Sequence, residues 1–364
     1  MKELELYLHI PFCMQKCKYC DFPSGCASEK TRADYVDNLC KKMESWKERT
    51  KEYEVSTVFV GGGTPSILTA EEMKKIFKYV HNCFKISKNV EITIEMNPGT
   101  VERDKLMAYK EAGINRLSIG CQSLDDQELK NLGRIHTEEE FYRTYRMARE
   151  VGFENISMDL MSAIPGQTLK SWEETLRKAA ELSPEHISAY SLIIEEGTPF
   201  YERYGEGKHS EELPSEEEER LMYERTEEIL AEYGYHRYEI SNYAKEGKEC
   251  RHNLGYWERK EYLGLGYHAA SLMDHKRWVD GEEEEKLTIQ DEMEEFMFLG
   301  LRKMKGVSRE DFLKMFGQEM DTVYKDVIEE QKKNGLLLEE EGRIFLSRKG
   351  IDLSNYVMSE FLID

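Results

Sequence analysis

Six short apolar runs, each followed by a stretch of helical character, constrain this chain more than any other feature of its sequence. The runs are Leu4 to Ile10, Ser56 to Val60, Glu91 to Glu95, Arg116 to Gly120, Ile156 to Leu160 and His186 to Ile193, rich in β-branched and aromatic residues. Between them lie segments such as TAEEMKKIFKYVHNCF, with Thr69 as the expected N-cap, and SWEETLRKAAEL, with Ser171 in that role. Strands that alternate with helices are joined by crossovers and therefore run parallel. Six units fall short of the eight that close a full barrel, so the expected fold is α/β, an open (β/α)6 partial barrel. In that architecture functional side chains gather just past the C-terminal ends of the strands.

The chemically unusual residues fall there. Cys13, Cys17 and Cys20 follow the first run, GGGTP (Gly61 to Pro65) the second, Glu95 and Asn97 end the third, and Gln122 follows the fourth. Asp159 is expected late in the fifth strand, and Ile193 to Glu196 end the sixth. The N-terminal MKELELYLHI has no apolar signal core and no apolar run reaches membrane-spanning length, so a cytoplasmic protein without intrinsic membrane insertion is expected. In a reducing compartment, eight cysteines with three at C-x-x-x-C-x-x-C spacing point to metal or redox chemistry rather than disulfides. Three thiolates suit an iron–sulfur cubane that keeps one iron free of protein ligands. A zinc site closed by Cys26 or a histidine is the alternative. Attachment of a c-type haem is excluded because Asp21, not histidine, follows Cys20.

Net charge is −21, with acidic clusters at Ser215 to Glu219, Glu282 to Glu285 and Glu339 to Glu341, a field that repels nucleic acid and anionic lipid. The charged stretch Tyr201 to Pro214 reads as a mobile loop, either a lid that gates the site or a spacer. Residues 1–243 form the expected core domain and 244–286 a connecting segment containing HNLGYW. Residues 287–364 read as three helices and a hairpin, a winged-helix-like α+β module. Residues 289–364 carry 11 Lys and Arg against 17 Asp and Glu, so a packing or lid role suits this module better than DNA binding.

YLHIPFCMQKCKYCDF resembles the signature of the radical SAM superfamily. Within it, the segment is most similar to the anaerobic coproporphyrinogen III oxidase-like branch, which also holds the HemW-type haem chaperones. The resemblance implies a [4Fe-4S] cluster on Cys13, Cys17 and Cys20 whose open iron takes the amino and carboxylate groups of S-adenosylmethionine (SAM), with electron transfer yielding a 5′-deoxyadenosyl radical. It places Tyr7 and Tyr19 near SAM, the backbone of Gly62, Gly63 and Thr64 on its amino group, and Glu95 on its ribose. Gln122, Arg134, Asp159 and Ile193 match further SAM contacts, and Ala270 is a looser match. Read singly, Glu95 and Asp159 also suit surface or strand-cap carboxylates.

Two features separate the members of this branch. The dehydrogenases carry a cysteine two residues after the third cluster cysteine, where this chain has Phe22. HNLGYW resembles the H-N-x-x-Y-W motif of the chaperones, which implies His252 as a haem ligand; the plainer reading is that Asn253 caps a turn while Tyr256 and Trp257 fill a domain join. The resemblance therefore implies a haem chaperone that binds the cluster, SAM and haem and passes haem to a respiratory acceptor protein, with a homodimer compatible. A coproporphyrinogen III dehydrogenase, or another radical SAM enzyme acting on a tetrapyrrole, is the alternative.

Overall fold

The computed structural model describes residues 1–363. The six runs form β1 (Lys2–Ile10), β2 (Tyr53–Gly62), β3 (Ile86–Met96), β4 (Arg116–Gln122), β5 (Ile156–Ser162) and β6 (His186–Ser191). Each pairs in parallel with the next. The connections carry α1 (Glu29–Trp46), α2 (Ala70–Cys83), α3 (Arg103–Glu111), α4 (Asp126–Leu132), α5 (Glu138–Val151) and α6 (Leu169–Glu181).

Period-two alternation sets which side of the sheet each residue takes. Leu4, Leu6, Leu8 and Ile10 of β1 enter the main core, as do Val58 and Val60 of β2, Ile92 and Ile94 of β3, and Leu117 and Ile119 of β4. The same core takes Met73, Ile76, Phe77 and Val80 of α2. The intervening residues Glu5, His9, Thr57, Glu91, Thr93, Arg116 and Ser118 are also buried, although polar. They face the lumen. A one-residue slip would exchange the two sets, so burial of each leucine, about 1.5–3 kcal/mol apiece, also fixes the register.

The cap of α6 is Thr168, not Ser171. Leu169 already has helical geometry, and Ser171 is the third helical residue, whose hydroxyl accepts the Thr168 N–H while its own N–H donates to Thr168 Oγ1 (3.1 Å each). The stretch from Tyr201 is not simply a loop. It lies partly in α7 (Pro199–Tyr204), whose Phe200 and Tyr204 pack on Leu132, Met161 and Ile164, and Arg203 grips Glu212 through two bonds of 2.9 and 2.6 Å. α8 (Glu216–Glu232) follows, then β7 (His236–Arg237) and β8 (Asn242–Ala244), which pairs antiparallel with β6.

Residues 244–286 do more than connect. After α9 (Arg251–Trp257), β9 (Tyr262–Leu265) pairs parallel with β1, and β10 (Ala270–Met273), β11 (Lys276–Val279) and β12 (Glu285–Lys286) continue antiparallel to give a twelve-stranded sheet. The free edge of β1 would otherwise expose a row of unpaired backbone groups, and β9 satisfies them. The C-terminal module has its own core of Met297, Leu301, Phe312, Tyr324, Ile344 and Phe361. It comprises α10 (Ile289–Gly300), β13 (Val307–Ser308), α11 (Arg309–Phe316), α12 (Asp321–Lys333), β14 (Leu337–Glu340) and β15 (Arg343–Leu346). The three helices and the hairpin appear in the order expected. β13 adds a third strand beside β15, and α13 (Arg348–Asp352) and α14 (Ser354–Ser359) complete the module. Among the described residues, no helix is long and apolar enough to cross a membrane.

Candidate functional site

The loop after β1 is held by backbone bonds on several sides. Cys13 N–H donates to the Gly25 carbonyl (3.0 Å), Lys18 N–H to that of Leu132 (3.0 Å) and Phe200 N–H to that of Lys18 (3.0 Å). The β2 loop closes on it through Gly63 N–H to Ile10 O (2.9 Å) and Thr64 N–H to Phe12 O (2.7 Å). This approach requires glycine. A Cβ on Gly63 would lie 2.7 Å from Phe12 O, and one on Gly62, whose φ is +111°, would lie 2.5 Å from the His9 ring.

Two donors aim at the cluster thiols: Thr64 Oγ1 at Cys13 Sγ (3.5 Å) and Arg134 Nη1 at Cys17 Sγ (3.7 Å). Arg134 also donates to Asn97 Oδ1 and Gly120 O, 2.7 Å each, so its fork ties the cluster loop to β3 and β4. A single zinc ion would draw its sulfur ligands to about 3.8 Å from one another. The three thiols are not all within 4.8 Å of one another; among the described residues the trio that meets this spacing is His209, Glu211 and Glu212, far from the cysteines in sequence and mostly exposed. Cys26 directs its thiol to Met14 O (3.0 Å). Three thiols on one loop, with Cys26 turned to a backbone carbonyl, suit a sulfide-bridged cluster held at three corners and open at the fourth.

Above and below these thiols runs one cavity of about 590 Å³. Cys13, Cys17, Cys20, Tyr7, Tyr19, Gly62, Gly63, Thr64, Glu95, Gln122, Arg134, Asp159, Ile193 and His252 all line it; Ala270, at the start of β10, does not. Phe22 stands at the rim, 59% exposed. Gln122 has the left-handed φ of +66° at a bulge in β4, and its Oε1 accepts the Tyr190 hydroxyl (3.0 Å). Such a backbone costs about 1–3 kcal/mol, and here it turns a polar side chain inward.

Asp159 is the fourth of the seven residues of β5 rather than a late one, which places it at mid-depth. Its carboxylate accepts from Ser118 (3.1 Å to each oxygen) and Ser157 (3.3 Å). Glu95 Oε2 accepts the Gly62 N–H (3.0 Å). Burial and the Asp159 charge push Glu95 up to about 8, so it is a neutral acid at pH 7 that can both donate and accept toward a diol.

α9 forms the floor. Glu91 accepts the N–H groups of Arg251 and His252, 3.2 Å each, and thereby caps the helix, while Asn253, read as the cap of a turn, is the third residue of α9. His252 is 1% exposed; Nδ1 meets Thr57 Oγ1 (2.7 Å), Nε2 meets the Tyr256 hydroxyl (3.2 Å), and the ring stacks on Phe59 at 5.1 Å. Burial, aided by the Arg116 charge, lowers its pKa to about 3. Glu5 faces the same floor with both carboxyl oxygens buried and without a hydrogen-bond partner, Oε2 standing 3.8 Å from His252 Nδ1, and burial pushes it to about 9. A Cβ on Gly255 would meet the Glu5 carboxyl, so any larger residue here displaces that side chain. Trp257 turns the other way, beneath the Arg302 guanidinium at 4.4 Å, and fills the join with the C-terminal module.

The sequence reading did not single out Glu5, Thr57, Phe59, Glu91 or Arg116 as site residues. For all but Phe59 the signal is the alternation itself, in which polar residues repeat at the inward positions of otherwise apolar strands.

A parallel half-barrel with three cysteines on its first loop and a glycine turn closing over them defines the class, the radical SAM fold. The profile of the Radical SAM superfamily matches residues 7–179, and that of the HemN C-terminal domain residues 287–353. Among solved structures the chain is similar to Escherichia coli coproporphyrinogen III oxidase (HemN), described as a radical SAM enzyme, with a TM-score of 0.86 at 23% identity over 99% of this chain and 90% of that one. Among curated proteins it is 37% identical to the heme chaperone HemW of Bacillus subtilis, covering 98% of each chain. It is 34% identical to that of Lactococcus lactis over 98% and 97%, and 41% to that of Escherichia coli over 72% and 68%. The chain belongs to the HemW heme chaperone family.

Proposed function

We propose that this protein takes up haem in its half-barrel and delivers it to an acceptor. The observation that carries the reading is that one cavity runs from three thiols at the mouth to a neutral, buried histidine at the floor. Cys13, Cys17 and Cys20 hold a [4Fe-4S] cluster, which when loaded with SAM supplies reducing power at the mouth. Tyr7, Tyr19, Glu95, Gln122, Arg134, Asp159 and Ile193 line the space for SAM, with Gly62, Gly63 and Thr64 offering backbone; Ala270, on the β10 extension of the same sheet, stands outside the cavity. At the floor, a Nδ1–H donated to Thr57 leaves the Nε2 lone pair of His252 toward the cavity, an orientation used by metal-binding histidines. Ligation then requires the Tyr256 hydroxyl to swing aside.

With Phe22 at the rim, the chain lacks the additional thiol at the mouth that marks the dehydrogenases. In this reading the acceptor is a respiratory haem protein, and the chain works in the cytoplasm. Its charge of −21 disfavours nucleic acid as a partner.

Anaerobic reconstitution followed by iron, sulfide and haem titration tests the reading. The Cys13→Ala/Cys17→Ala/Cys20→Ala variant is expected to lose cluster iron entirely. His252→Ala is expected to keep it while shifting the Soret band and weakening haem binding. A wild-type protein without haem affinity, or a His252 variant with an unchanged Soret band, would overturn the corresponding part. Incubation with coproporphyrinogen III, SAM and a reductant is expected to yield no decarboxylated product.

A further inference from the structure

Arg116 opens β4 at the floor end of the half-barrel and is 2% exposed. Among the described residues its guanidinium joins no ion pair and makes no side-chain hydrogen bond, and Nε is buried without a partner. An arginine does not surrender its proton, so this is a permanent positive charge held away from water. Such burial is unfavourable until a counter-charge is in contact.

The acids nearby, Glu91 and Asp159, favour this charge through space, yet neither forms an ion pair or hydrogen bond with the guanidinium. Glu91 accepts the N–H groups of Arg251 and His252, Asp159 accepts from Ser118 and Ser157, and Glu95 accepts from Gly62. Arg116 lines the cavity instead, together with Phe59, His252 and Asn242, whose Oδ1 is likewise buried without a partner. The floor therefore presents an unpaired cation beside an aromatic ring and a neutral imidazole, a surface for a ligand that is flat, apolar and carries carboxylates.

We propose that Arg116 seats a propionate carboxylate of the tetrapyrrole taken up by this cavity. The inference rests on the haem reading above. The other carboxylate in question, that of SAM, is assigned to the mouth, and Arg116 lies six residues down β4 from Gln122, about 20 Å of strand. A guanidinium fork matches a carboxylate with two parallel hydrogen bonds, which fixes the macrocycle's rotation as well as its depth.

The experiment compares binding of haem and of haem dimethyl ester, in which both propionates are capped, to the full-length protein by Soret titration. Wild type is expected to prefer free haem by about tenfold or more. Arg116→Gln is expected to lose that preference by weakening free haem alone, and Arg116→Lys to restore part of it, with cluster iron and SAM affinity unchanged in both. Equal affinity of wild type for the two ligands overturns the proposal and leaves the haem reading standing. So does an Arg116→Gln variant that weakens both ligands equally, which marks a structural arginine, or one that weakens SAM instead. Should the variant not fold, the wild-type comparison decides alone. Binding of neither ligand by wild type overturns the haem reading and the proposal together.

Discussion

The two ends of the cavity are built on opposite principles. The mouth is assembled from neighbours in the chain: three cysteines within eight residues, and a glycine loop whose backbone closes on them. Two of its thiols, Cys17 and Cys20, are partly open to solvent, and its rim exposes Phe22 and Ile193. The floor is assembled from residues far apart, Glu5, Thr57, Glu91, Arg116 and His252, all buried. One end uses backbone approach and soft ligands, whereas the other uses charge and proton placement in a dry environment. A loop can carry the first because its geometry is local; the second requires several strands to agree in register.

If the ends are independent, each can be broken alone. The largest effect on binding is expected from Gly62→Val, because valine must adopt a φ of +111° with Cβ against the His9 ring. SAM affinity, read by equilibrium dialysis, is expected to fall about a hundredfold or more while haem binding at the floor persists. Parallel loss of haem would show that the two ends are coupled.

Glu5 offers the test at the floor. The native state holds this acid protonated up to a pKa of about 9, whereas the unfolded chain ionises it from its ordinary value of 4.5. Stability is therefore lost as pH rises through that interval. Glu5→Gln removes the penalty, and urea unfolding is expected to show the variant more stable by roughly 5 kcal/mol at pH 8 and no different at pH 4. An equal difference at both pH values would contradict a buried neutral acid. His252, held near 3, acts in the opposite sense and costs stability as pH falls below 6.5.

The smallest effect is expected from Arg302→Ala, which removes the guanidinium from Trp257. A stability loss of about 1 kcal/mol in thermal unfolding is expected, with SAM affinity unchanged.

Strand–helix alternation and local cysteine spacing made the barrel and the mouth legible in the sequence. The edge strands were not, because YLGL and KRWV are too short to display a period, and the pairing of β9 with β1, on which β10 and β11 then build, depends on a return across the whole chain. Ser171 misled because serine serves equally as a cap and as the third residue of a capping box. At the floor, Arg116 reads in sequence as the polar start of an ordinary strand. Only the closing of β1 to β6 around it, with α9 beneath, turns that position into a buried charge. HNLGYW was visible as a unit, but the structure divides it, with His252 and Tyr256 facing the cavity and Trp257 facing the C-terminal module.

Because the walls are fixed by a hydrogen-bonded ladder while the bottom is one seven-residue helix, width and depth are separable properties of this vessel. Residues on α9 can be exchanged without disturbing strand register. A lineage with this scaffold could thus acquire a deeper or differently charged receptacle by altering one short segment, keeping intact the apparatus at the opposite opening.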